Sequence, residues 1–180
     1  MKKFLLTLSG LVIIDQVVKL FISHYFTNTH AILLPGILIF RPVQNENLTW
    51  ISSIMDYNTP VWLMLILQLF ASAFVVLVHR YLFYLWSEKK RLLKGMLDFL
   101  LAGIICSLID VVFWGGSLDY IRLFNWFTFD MKDVYLNIGV FFAFLYGGMY
   151  YFQIYRKLSG EERRQTGLLR WLKRGMPSCP

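Results

Sequence analysis

The stretch FLLTLSGLVIIDQVVKLFISHYF, Phe4–Phe26, decides the fold, and it admits two readings. Lys2 and Lys3 stand before an apolar run, as they would in a secretory leader. No small-residue cleavage site follows, however, and Asp15 and Lys19 interrupt the run. A hydrocarbon core needs about 20 predominantly apolar residues per helix. The stretch has that length and reads as a retained first membrane helix. Three further segments qualify: Pro60–Trp86, Gly95–Trp114 and Val134–Tyr155. The sequence therefore predicts an all-α membrane protein with four transmembrane helices.

Composition agrees. Of 180 residues, 57% are hydrophobic and 16% are charged, and mean hydropathy is +0.54. A water-soluble domain is nearer half apolar and richer in charge. The two cysteines, Cys106 and Cys179, make no disulfide framework, and no CxxC is present.

The net charge of +7 is unevenly placed. The N-terminus, the segment SEKKRLLK after the second span, and the tail carry thirteen Lys and Arg residues; the opposite side carries three, Arg41, Arg122 and Lys132. The positive-inside rule then puts both termini in the cytoplasm. The expected organisation is a membrane domain over residues 1–155 and a basic cytoplasmic tail over 156–180. The tail's charge suits anionic lipid heads, and no nucleic-acid-binding motif accompanies it. Thr27–Thr59 is long for a loop. Alternation around Ile37–Val43 and Leu48–Ile51 predicts a small extracytoplasmic β segment between helices 1 and 2.

Charges inside a membrane helix cost at least ~2.5–3.5 kcal/mol each, so those present call for a reason. Asp15 and Lys19, spaced i, i+4, share a helix face. They are either a self-neutralising pair or a prop beneath a site. Asp110, one turn after Ser107, stands near the end of the third span, where it can snorkel to the interface. Asp119 and Asp133 bracket the loop between spans three and four, with Asp130 close by. If the two helices are neighbours, this loop brings Asp119 and Asp133 together. Two such carboxyls can share a proton and perform aspartic-protease chemistry, which needs no metal or cofactor. No HExxH, GxSxG, P-loop or GxGxxG occurs.

The order of these features resembles lipoprotein signal peptidase (signal peptidase II), a family of four-helix inner-membrane aspartic peptidases. Its Asp-x-x-x-Lys matches DQVVK, Asp15 and Lys19; its outer Asn-x-Gly matches Asn45, with Asn47 in the Gly place. Its helix-three motif Gly-x-x-Gly-Asn-x-x-Asp-Arg matches Gly103 and Asp110 in GIICSLIDV. Cys106, Ser107 and Val111 depart from that motif. The family's Val-Val-Asp-Phe matches SLDY, Asp119, and its Phe-Asn-x-Ala-Asp matches FDMKD, with Asp130 in the Asn place, Lys132 in the small-residue place, and Asp133 last.

The resemblance implies that Asp119 and Asp133 are catalytic. It implies that Asp15, Lys19, Asn45, Ser107, Asp110 and Asp130 bind substrate or support the site. The implied substrate is a diacylated prolipoprotein, cut just before its lipidated cysteine at the outer face of a bacterial inner membrane. The protein is expected to act as a monomer. Beside this reading stands a non-catalytic membrane scaffold or small transporter. A transporter should show an internal repeat, and none is evident.

Overall fold

A computed structural model of the chain describes residues 2–46, 60–124 and 126–177. Among these residues, four helices are long and apolar enough to cross a membrane. They are α1 (Lys2–Tyr25), α2 (Val61–Leu85), α3 (Lys90–Ile109) and α4 (Met131–Gln153). Two short helices follow, α5 (Gly160–Thr166) and α6 (Leu168–Lys173). The third helix starts earlier than hydropathy suggested. Within SEKKRLLK, Ser87–Lys89 form one 3₁₀ turn and α3 begins at Lys90. Lys, Arg and Leu are good helix formers, so the connection shrinks to a turn.

Burial runs opposite to that of a water-soluble bundle. The buried residues of α1 are Asp15, Lys19 and Ile22, while Leu6, Ile13 and Phe21 are 78%, 60% and 55% exposed. In hydrocarbon an apolar face can stay outside, and the charged pair must turn inward. Helix α3 packs against all three other long helices, most closely against α4. A Cβ on Gly103 would lie 2.6 Å from the Leu136 side chain, and one on Gly139 would lie 2.6 Å from that of Leu100. The two glycines let the backbones approach, the usual device where no hydrophobic effect draws helices together. Tyr135 ties α4 to α1 by donating to the Leu11 carbonyl at 3.1 Å.

At one end of the bundle lies a four-stranded antiparallel sheet, order β1-β2-β3-β4. The strands are β1 (Ala31–Leu34), β2 (Leu38–Asn45), β3 (Ser117–Leu123) and β4 (Phe127–Phe129). The expected strand near Ile37–Val43 is β2. The expected strand at Leu48–Ile51 lies outside the described residues. Two strands come instead from the segment between α3 and α4, so the sheet joins both connections. Its register pairs Val43 with Asp119 and Asn45 with Ser117. The irregularity between Phe40 and Val43 contains Pro42, which has no N–H for the ladder. Leu118 and Tyr120 of β3 pack on Ile22 of α1, which seats the sheet on the bundle.

The tail does not lie free. Trp171 is buried, with its ring centroid 5.4 Å from that of Tyr81 and 6.2 Å from that of Tyr84. The Tyr81 hydroxyl donates to the Thr166 carbonyl at 2.8 Å. The basic residues are thus carried on a segment docked against α2.

Candidate active site

Helix α3 continues past Ile109 as a π-helical turn, Asp110–Trp114, and ends at Gly115 with φ +64°. Such turns widen a helix and cluster at functional sites. Gly116 follows with φ +156°. A Cβ there would collide with the Asn45 backbone, so glycine lets β2 and β3 close immediately after the turn. Ser117 and Asp119, two residues apart on β3, then face the same way.

The second arm of the site is the start of α4. Asp130 is its N-cap. The Asp133 amide donates to the Asp130 carboxylate at 3.3 Å, and the Asp130 amide donates to the Asp133 carboxylate at 3.1 Å. This capping box uses DMKD, with Asp where Glu or Gln is usual. It fixes both carboxyls relative to the helix end.

The two arms meet. One carboxylate oxygen from each of Asp119, Asp130 and Asp133 lies within 4.8 Å of the others. That spacing suits a divalent cation, but an ammonium of the chain itself reaches the cluster. Lys132 Nζ is 2.6 Å from Asp130, 3.3 Å from Asp110 and 3.6 Å from Asp119. Asp119 Oδ1 accepts from the Ser117 hydroxyl at 2.6 Å, and its Oδ2 accepts from the Asn45 amide at 3.1 Å. Ser117 in turn accepts from Lys132.

Beneath this cluster sits Lys19. Its ammonium is 3.0 Å from Asp15, 2.7 Å from Asp110 and 2.7 Å from Asp130. All four residues are at most 1% exposed. Gln16 donates to Asp15 at 2.9 Å and accepts from the Trp114 indole at 3.1 Å. Burial alone would raise the Asp130 carboxyl, but the Lys132 and Lys19 ammoniums outweigh it and hold it below the usual carboxylate range. Burial, with the Asp130 charge, pushes the Tyr120 phenol up, so it stays a neutral group beside the acids.

Most of the residues singled out from sequence converge here: Asp15, Lys19, Asn45, Asp110, Asp119, Asp130 and Asp133. For several of them the sequence leaves more than one reading open. Asp110 does not snorkel to the interface but is buried against Lys19. Asp15 and Lys19 are no isolated pair, because Lys19 is shared with two further carboxylates. Asp119 stands on a strand, not in a loop. Ser107 stays outside the cluster: its hydroxyl accepts from Gln68 of α2 at 2.8 Å. Ser117 and Lys132 were not picked out as site residues. The strand period links Ser117 to Asp119, but only once β3 is recognised as a strand.

The family model described as signal peptidase (SPase) II matches residues 7–148. A lipoprotein signal peptidase of Lactiplantibacillus plantarum is 27% identical over 146 residues, which cover 79% of this chain and 91% of that relative. Two bacterial membrane enzymes solved by the in meso method share the fold. One, at 2.3 Å, has a TM-score of 0.67 and 18% identity, and the alignment covers 88% of this chain and 94% of that one. The other, at 1.9 Å, has a TM-score of 0.64 and 19% identity, with 81% and 92% covered.

Proposed function

The chain belongs to the signal peptidase II family, a multi-pass bacterial membrane peptidase, and from that premise we propose that it is an aspartic endopeptidase with Asp119 and Asp133 as its catalytic dyad. Its substrate is a diacylglyceryl-modified prolipoprotein, cut on the N-terminal side of the lipidated cysteine. The sheet end of the bundle is the extracytoplasmic face. The observation that carries this reading is the meeting of β3 and the α4 N-terminus, which puts carboxylate oxygens of Asp119 and Asp133 within 4.8 Å.

Carboxyls this close cannot both ionise comfortably, so the pair holds one proton between them. The ionised member takes a proton from water as its oxygen attacks the scissile carbonyl. The protonated member hydrogen-bonds the carbonyl oxygen and stabilises its developing charge. Collapse of the tetrahedral intermediate breaks the C–N bond, and the pair delivers a proton to the departing amine of the cysteine. The lipid anchor holds the peptide at the membrane surface and supplies much of the orientation that soluble proteases obtain from a long cleft. Lys19, Asp15 and Asp110 lie behind the acids and hold the floor of the site.

The test is cleavage of a diacylated precursor by purified protein in lipid nanodiscs. Asp119→Asn and Asp133→Asn should each abolish turnover with folding intact, and the double variant should be no worse than either single, because the two act as a unit. Normal processing by both single variants would remove the dyad.

A further inference from the structure

Two ammoniums and two carboxylates form a closed alternating ring at the centre of the site. Lys19 to Asp110 is 2.7 Å, Asp110 to Lys132 is 3.3 Å, Lys132 to Asp130 is 2.6 Å, and Asp130 to Lys19 is 2.7 Å. All four residues are buried, and their formal charges cancel. Of the four, among the described residues, Lys132 alone also makes an ion pair with Asp119. It reaches Asp119 a second way, through the Ser117 hydroxyl. A serine beside a lysine can be a nucleophile and its base, but here three carboxylates hold the ammonium as a donor. Of the carboxylates that can accept from the serine hydroxyl, Asp119 is the nearest at 2.6 Å, with Asp130 at 3.2 Å and Asp110 at 3.4 Å.

We propose that Lys132 is a positioning residue for the acid dyad, and that Asp130 is retained as its counter-charge. The ring anchors the ammonium. The ammonium donates to Ser117, Ser117 donates to Asp119 Oδ1, and Asn45 holds Oδ2. The acid on β3 is thereby tied to the first turn of α4, one residue from Asp133. The separation of the two acids is set by this chain and not by the strand alone. Asp130 and Lys132 replace two uncharged residues of the family pattern together because, without Lys132, the Lys19 ammonium alone would face Asp15, Asp110 and Asp130, and, without Asp130, Lys132 would lose its nearest counter-charge.

The inference rests on the dyad reading, so both are tested in one series: parent, Asp119→Asn, Lys132→Met, Lys132→Arg, and Asp130→Asn with Lys132→Met. Each is purified in nanodiscs and assayed for kcat and KM on a diacylated precursor peptide. Lys132→Met should lower kcat about 100-fold, the size of effect that a misplaced catalytic group produces, and leave KM unchanged. Lys132→Arg should recover much of that loss. The double variant should exceed Lys132→Met, because Lys19 then has one carboxylate fewer to balance alone. Parental kcat in Lys132→Met overturns the inference, as does a raised KM with unchanged kcat. A double variant no better than Lys132→Met removes the counter-charge role. If Lys132→Met does not fold, parental kcat in the double variant, which lacks the ammonium, overturns the inference, and a low kcat there with recovery in Lys132→Arg supports it. An inert parent, or an active Asp119→Asn, sinks the dyad reading instead.

Discussion

A fully buried ammonium persists only where several carboxylates share it, and Lys19 is such a group. Its three partners come from α1, from the end of α3 and from the cap of α4. The residue therefore pins three elements to one point, and among the described residues each partner finds an ammonium only in it or in Lys132. Lys19→Met keeps most of the volume but leaves Asp15 without a cation and Asp110 and Asp130 with one. Removing one partner of a buried ion pair costs about 3–5 kcal/mol, so the variant should show a markedly lower Tm in detergent. Asp15→Asn should lose less, because Lys19 keeps Asp110 and Asp130. Equal Tm losses would mean that the i, i+4 pair with Asp15 is the whole interaction. The sequence made that local pair legible, since two charges one turn apart in an apolar run have few explanations. It could not show that Lys19 also reaches Asp110, 91 residues away, because nothing local encodes which distant acid closes the ring.

Strand β3 is the element that carries the first acid, and it is where sequence and structure part most. SLDYIRL alternates polar and apolar residues from Ser117 to Tyr120 and breaks phase at Ile121, yet Leu118, Asp119 and Tyr120 are all buried. The alternation is short, its polar positions Ser117 and Asp119 turn into the acid cluster and not toward water, and the preceding Gly115–Gly116 reads as loop. The helices were easier to find than this strand: the spans follow from length and hydropathy, although α3 begins at Lys90 and not at Gly95. What fixes β3 is the glycine just before it. Gly116→Ala would drive a methyl group into the Asn45 backbone at a φ that side chains rarely adopt. The β2–β3 pairing should then open beside Ser117, moving Asp119 while the four apolar helices stay packed. The expected result is a loss of turnover with far-UV helical signal and detergent-extracted yield near those of the parent. Full activity in Gly116→Ala would show that the site does not depend on this close approach.

Across the whole molecule, the four spans place both chain ends at one end of the bundle and the sheet with its acids at the other. We infer the direction in the membrane from charge: thirteen Lys and Arg residues gather at the end that bears the termini, against three at the sheet end. Basic residues near span ends resist transfer across the membrane and fix orientation. The tail strengthens the bias, because Trp171 docks it against Tyr81 and Tyr84 of α2 and keeps its arginines beside the span. The orientation also suits the chemistry, since a precursor anchored by its lipid on the outer leaflet would meet the dyad at its own depth. Impermeant maleimide labelling of intact cells checks it. Cys179 is replaced by Ser, and Cys106 is buried within α3. A cysteine in place of the exposed Asn28, at the turn after α1, should label in intact cells. A cysteine in place of the exposed Arg164 should label only after permeabilisation. The reverse pattern would put the acids on the cytoplasmic side, where a lipid-anchored precursor displayed outside could not reach them, and the proposed substrate would fall with the topology.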